Sequence, residues 1–374
     1  MSPLLSIQAG KKAFNHIQKN GLSPTDISSI FGASGAAKWL GIYGLDKAIF
    51  SEWLPSDVAL QKRLTSTIQN NIQENKRIDL FGTSVGAWKL AAAAQKNAEQ
   101  ALDNFAQAYI DQHYGNSGTH ADVQRETDII IRKFLTDSAI AEILSSDMFN
   151  FHCGAVKCKG LITSEKNILL LAGLASSVIR NAINSDLLSS QYQRIIFTDS
   201  RSPTPIAKDS KFSNTLINLD NNNLITALSA SGSIPYVMKG IDNIPNTQNG
   251  MYRDGGLLDY HPIPSRLWSD DGFILYPHFY SHLIPNWFDK PYKKRRAAAK
   301  ELDNVILISP SESFIKKLPF NRLPDRNDFK RFFNRDAERQ KVWTECKKLS
   351  ELLGEEFLSI ADKNQFAERT TEIK

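Results

Sequence analysis

Short apolar runs alternate with amphipathic stretches along most of the chain. Leu5, Ile7, Ala13, Phe14 and Ile17 keep roughly helical spacing, which predicts an opening amphipathic helix over residues 5–19. "GLSPTD" then breaks the pattern, and "DISSIF" (26–31) reads as a short strand leading into the small-residue loop "GASGAAK". From Trp39 to Trp53 helical spacing returns through Leu40, Leu45, Ile49 and Phe50. "RIDLFG" (77–82) predicts a second strand, and "SVGAWKLAAAAQKNAEQALDNFAQAYI" one long helix after it. Residues 111–150 are polar and then helical, with apolar faces in "IIIRKFL" and "AIAEIL"; they read as outer-layer helices or as a cap over a site.

"NILLLAGLASSVIRN" and "RIIFTDS" (194–200) read as strand-rich, and "ITALSASGSIPYV" as a helix running into a proline stop. "GFILYPHF" and "NVILISPS" are apolar runs suited to buried strands. Strands alternating with helices predict an α/β fold with a mostly parallel central sheet. Past residue 311 the chain turns polar and helical, which divides it into a domain over 1–310 and a helical C-terminal extension over 311–374.

Composition narrows the setting. The 374 residues are 41% hydrophobic and 10% aromatic, a globular mix. A net charge of +5 is too small to argue for nucleic-acid binding. Cys153, Cys158 and Cys346 form no disulfide framework, which favours a reducing, cytoplasmic setting. No secretory leader is visible, and no apolar run approaches the ~18 residues of a membrane span.

The sharpest local feature is "DLFGTSVGAWKLAAAA", where Ser84 lies between Gly82 and Gly86. A strand before the serine and a helix after it are what a nucleophile elbow needs, and the helix start aims N–H groups at the site. The plain alternative is a strand–helix turn. A serine nucleophile needs a base. His113, His120, His152, His261, His278 and His282 follow it, none in a distinctive context. "YRDGGLLDYHP" is sharper: Gly255 and Gly256 leave the Asp254 carboxylate free to face a neighbour, although a simple Asp-Gly turn reads the same way. "FGASGAAK" (31–38) offers backbone N–H groups that converge on an anion, or a tight strand–helix turn; no phosphate-loop signature is present.

Small-residue loop, serine elbow and Asp-Gly-Gly, in that order, resemble the patatin-like phospholipase family, whose pattern is a glycine-rich loop ending in Arg or Lys, then G-x-S-x-G, then D-G-G or D-G-A. The counterparts are "GASGAAK", "GTSVG" and "DGG"; "GLDKAI", "IIFTDSRSPTPI" and "ALSASGSIPYVMKG" add to the likeness, which spans about residues 26–265. The resemblance implies a three-layer α/β/α fold and a lipid acyl hydrolase without metal or organic cofactor. Ser84 would be the nucleophile and Asp254 its only side-chain partner. Backbone N–H groups of Gly35 and Ala36 would form the oxyanion hole, with Val85 contributing. Gly32, Lys38, Gly82, Gly86, Gly255 and Gly256 complete the motifs. Ser34, Ala36 and Trp39 depart from the family's glycines, and Tyr260 replaces a common asparagine.

Two further stretches carry chemistry. "HLIPNWFDKPYKKRRAAAK" (282–300) interleaves aromatics with Lys290, Lys293, Lys294, Arg295 and Arg296, as suits peripheral contact with an anionic membrane, or a solvated basic loop beside core aromatics. "HCGAVKC" (152–158) fits a buried strand better than a zinc site. The expected partner is a fatty-acyl lipid substrate. The rival readings are an esterase, thioesterase or acyltransferase on soluble acyl donors, and an impaired member that binds lipid or a partner.

Overall fold

The computed structural model describes residues 2–70, 77–114, 119–202, 212–268 and 272–374. The 203–206 part of the "IIFTDSRSPTPI" stretch lies outside the described residues. The protein is a mixed α/β structure: a large, mostly parallel sheet flanked by helices, with a helical C-terminal segment.

The strands are β1 (Leu5–Ala9), β2 (Ile27–Gly32), β3 (Ile78–Thr83), β4 (Phe149–Cys158), β5 (Tyr192–Thr198), β6 (Asn214–Asn218), β7 (Ile241–Asp242), β8 (Met251–Asp254), β9 (Phe273–Pro277), β10 (Val305–Pro310) and β11 (Thr370–Glu372). Their order is β11-β1-β10-β9-β2-β3-β4-β5-β6, with β8 joining β4 and β7 joining β8. From β10 to β4 every pairing is parallel. Antiparallel pairs flank this block, β1 on β10 and β5 and β8 on β4. β3 is buried at all six positions, as a central strand covered on both faces must be.

Three expected elements come out differently. Leu5–Ala9 is a strand and helix begins only at Lys11. Its alternation of buried and half-buried residues has period two, and Gly10 separates it from the helix that carries Ala13 and Ile17. The single helix expected after Ser84 is two, Val85–Ala93 and Ala98–Asp111. Asn97 caps the second by accepting from the Gln100 N–H at 3.0 Å. Asn167–Ile183, read as strand-rich, is one helix. Its Leu- and Ala-rich composition favours helix, and only the Leu170, Gly173, Ser177 and Asn181 face is buried.

The His120–Phe134 and Asp137–Leu144 helices belong to the outer layer, because nothing from 119–150 lines the cavity around Ser84. The C-terminal segment is built into the body. Its long helix, Asp336–Asp362, lies against Tyr43–Ala48 so closely that a Cβ on Gly354 would stand 2.4 Å from the Gly44 carbonyl oxygen. β11 then returns to pair with β1. Among the described residues, no helix is long and apolar enough to cross a membrane.

Candidate active site

Ser84 and Asp254 are 170 residues apart, and β4 brings them together. β3 climbs parallel to β4 and ends at the Thr83–Gly154 pair. β8 descends antiparallel to β4 and ends at the Asp254–Ala155 pair. β5 occupies the other edge of β4, so β3 and β8 share one edge and meet end to end at consecutive positions. Ser84 Oγ donates to Asp254 Oδ2 at 2.9 Å across that junction.

The turn at Ser84 is strained. Its φ of 53° and ψ of −133° lie outside the regions that non-glycine residues favour, a cost of about 1–3 kcal/mol that the surroundings must hold. Backbone crowding explains the flanking glycines. A Cβ on Gly86 would stand 2.3 Å from the Gly32 carbonyl, and one on Gly82 would stand 2.6 Å from the Ala87 nitrogen. The Val85–Ala93 helix therefore packs backbone to backbone on the end of β2. Behind the turn, the Ser84 N–H donates to Ser231 Oγ at 2.9 Å, and Ser231 Oγ donates to the Gly154 carbonyl at 2.7 Å. In the sequence Ser231 is one serine in a small-residue run, with no local mark of this role. Ser231→Ala is expected to leave two buried backbone groups unpaired, costing about 1–3 kcal/mol of stability; thermal denaturation of the variant checks this.

Asp254 is buried, 7% exposed, and its carboxyl is raised to about 6. Burial is the main cause; the Gly256 N–H, the Ser84 hydroxyl and the Lys290 ammonium pull the other way. The Gly256 N–H donates to Oδ1 at 2.7 Å, which leaves Oδ2 to face Ser84. A carboxylate held like this can accept the hydroxyl proton with a smaller mismatch than an exposed aspartate near pH 4.

The loop at 32–38 lies beside this pair, and Ser34, Gly35 and Ala36 line the same cavity as Ser84 and Asp254. Gly35 and Ala36 head the 3-10 helix Ala36–Ile42, where backbone N–H groups lack intrahelical acceptors. Neither N–H donates to another backbone or side-chain group among the described residues. Two of the three departures from glycine have partners. Ser34 Oγ sits 3.0 Å from Thr83 Oγ1 and the Ser34 N–H donates to the Tyr260 carbonyl, so the loop is pinned to the turn that carries Ser84. Trp39 stacks on Phe105 at 4.5 Å in the core. Ala36 adopts a φ of 49°, the left-handed region, at a cost of about 1–2 kcal/mol. Gly35 faces the Phe279 ring, which stands 2.4 Å from where a Cβ would be.

No family model, curated protein or solved structure matches the chain. The site therefore rests on its own geometry.

The cavity measures about 460 Å³. Leu171, Leu174, Ile234, Val237, Leu257 and Trp287 give it apolar walls. Among the described residues, no histidine lines it. His261, seven residues after Asp254, is fully buried elsewhere, where its Nδ1 accepts the Ile284 N–H at 2.9 Å. Burial and the neighbouring His278 hold His261 far below its usual titration range. Cys153 and Cys158 are free and buried on β4, and burial raises both thiols, Cys158 to about 12. Among the described residues, no group of His, Cys, Asp and Glu is placed to hold a metal ion.

The basic-aromatic stretch divides. Trp287 and Lys290 line the cavity, and Phe288 is buried. Arg295 pairs with Asp289 at 3.2 Å, and Arg296 donates to the carbonyls of Asp289 and Lys290. Lys293 and Lys294 are exposed. No local spacing marks the buried Arg194–Asp259 pair, bidentate at 2.7 and 2.8 Å. It steadies the segment whose Asp259 carbonyl accepts from Thr83 Oγ1 at 2.7 Å.

Proposed function

We propose that the protein is a serine acyl hydrolase that cleaves fatty-acyl esters through an acyl-Ser84 intermediate. The observation that carries this reading is the 2.9 Å hydrogen bond from Ser84 Oγ to a buried Asp254 on a strained strand–helix turn. Ser84 Oγ attacks the acyl carbon as its proton passes to Asp254. The N–H groups of Gly35 and Ala36, with that of Val85, receive the negative charge on the carbonyl oxygen. Collapse breaks the ester bond, and the leaving alkoxide takes the proton from Asp254. Water then gives a proton to Asp254 and attacks the acyl carbon. The fatty acid departs, and Ser84 Oγ regains the proton. The order of motifs shared with patatin-like phospholipases supports the same roles.

A lipid aggregate as the substrate source is supported by the Asn167–Ile183 helix. Leu171 and Leu174 on this helix are walls of the cavity. The same helix presents Ile168, Leu171, Val178, Ile179 and Ile183 to solvent at helical spacing, Ile168 being 82% and Ile183 72% exposed. A contiguous exposed aliphatic stripe of this kind marks an interaction surface. A membrane covering it meets the mouth of the site with acyl chains. Lys166 at the start of the helix and Arg180 in its last turn suit an anionic surface.

Phospholipid vesicles compared with a soluble short-chain ester provide the test. In the triple variant Ile168→Ser, Ile179→Ser, Ile183→Ser, vesicle hydrolysis is expected to fall at least about tenfold further than soluble-ester hydrolysis. Equal losses on both substrates would remove the stripe from the reading. Wild-type activity confined to soluble esters would favour a soluble acyl donor.

A further inference from the structure

Three cations face the same cavity as Ser84 and Asp254, and each comes from a different segment. Lys38 follows the 35–36 loop, Lys290 follows the Trp287–Asp289 turn, and Arg326 lies in the loop before the Asp328–Arg331 helix. Among the described residues none of the three forms an ion pair. The Lys290 ammonium lies 4.0 Å from the Tyr260 ring centre and 5.2 Å from that of Trp287. These faces stabilise a cation less than a carboxylate does. Two carboxylates share the cavity. Asp254 is committed to Ser84 and the Gly256 N–H. Asp325 accepts from the Asn327 N–H and pairs with Arg331 at 3.4 Å. Asp325 and Asp328 lie near Lys38, and Asp254 near Lys290, but none of them forms an ion pair with the three cations. Three cations against the two lining carboxylates, each with another partner, leave the cavity net positive, and a cleft lined this way concentrates negative ligands.

We infer that Lys290, Arg326 and Lys38 form a subsite for the phosphate group of an acyl substrate, beside the ester that Ser84 attacks. The placement of the ester rests on the hydrolase reading; the anion site does not. Two sources offer this chemistry, the headgroup of a phospholipid and the phosphates of a soluble acyl carrier such as acyl-coenzyme A.

The electrostatics of Lys290 add a signature. Burial, with repulsion from Arg326 and Lys38, lowers its ammonium to about 7, while Asp254 opposes the shift. Burial likewise lowers Lys38, with Asp325 and Asp328 opposing the shift and Arg326 and Arg322 adding to it. A bound anion favours the charged forms, so binding takes up a proton and weakens as the pH rises through about 7.

Binding is read first, on Ser84→Ala protein, by calorimetry with octyl sulfate, whose charge is constant, and octyl glucoside as the neutral control. Octyl sulfate is expected to bind at least about tenfold more weakly after Lys290→Gln or Arg326→Gln, and more weakly at about pH 8.5 than at pH 6. Lys293→Gln and Lys294→Gln, on exposed lysines nearby, should leave it unchanged. Hydrolysis is read second, on a 1-acylglycerol 3-phosphate, an acyl-coenzyme A and a monoacylglycerol of the same chain length. Lys290→Gln should cut kcat/KM for an anionic substrate at least about tenfold more than for the monoacylglycerol, and the anionic substrate with the larger loss names the source. Octyl sulfate binding that ignores Lys290 and Arg326 would overturn the subsite. Loss of anion binding in a protein whose turnover does not need Ser84 would keep the subsite and reject the hydrolase reading.

Discussion

Ser84→Ala is expected to reduce ester hydrolysis by at least about 10⁴-fold in kcat, the scale on which serine hydrolases lose their nucleophile. The same change should abolish labelling by a fluorophosphonate, which reacts with an activated serine hydroxyl. Absence of labelling in folded wild-type protein would turn the reading toward a binding module. The companion variant Ser84→Gly separates chemistry from folding. Ser84 holds a φ of 53° that glycine adopts freely. Ser84→Gly should therefore be as inactive as the alanine variant yet more stable by about 1 kcal/mol, read as a higher denaturation midpoint. On the hydrolase reading, a serine kept in a strained conformation that glycine would relieve is stability given up for function.

Asp254→Asn should lower kcat/KM by about 10³-fold or more, since an amide cannot accept the Ser84 proton. Near-normal turnover would mean that another group is the base. The pH profile gives a second reading. On the proposed reading Asp254 serves as base only when ionised, and its carboxyl is raised to about 6 by burial. On a neutral ester, kcat/KM should rise with pH and level off above about pH 6, and the variant should lack this limb. The stability sign follows from the same shift. The folded carboxyl titrates higher than in the unfolded chain, so the folded state binds the proton more tightly. Ionisation therefore costs stability: nothing below about pH 4, growing to about 3 kcal/mol above pH 6. Asn can keep the Gly256 hydrogen bond, so the variant should be at least as stable as wild type at pH 7. Lost activity with retained stability is the combination that excludes unfolding as its cause.

Much of this was legible in the chain itself. The turn at Ser84 could be placed because strand, small residues and helix follow one another within sixteen residues, and backbone crowding at Gly82 and Gly86 is a local requirement. The Asp254–Gly255–Gly256 turn and the 32–38 loop were visible for the same reason. Misreadings fell where local pattern and tertiary burial disagree. Leu5–Ala9 alternates, but five residues are too few to separate from the helix that follows. Asn167–Ile183 reads as strand-rich because residues 168–175 form an unbroken run without polar side chains, and only the fold reveals that one face stays in solvent.

The tertiary structure decided what depends on residues distant in sequence. Ser231 behind Ser84, the Arg194–Asp259 pair and the convergence of Lys38, Lys290 and Arg326 each join segments from different parts of the chain. A residue's neighbours across a sheet leave no trace in its local spacing. The sequence by itself determined which residue types stand at the turns, because small size and the backbone demands of a short turn are local properties. The raised proton affinity of Asp254 came from burial, which the fold supplies. Only the fold decided that Ser84 and Asp254 meet, because β3 and β8 must end at adjacent positions on one edge of β4 before a serine and an aspartate 170 residues apart can share a proton.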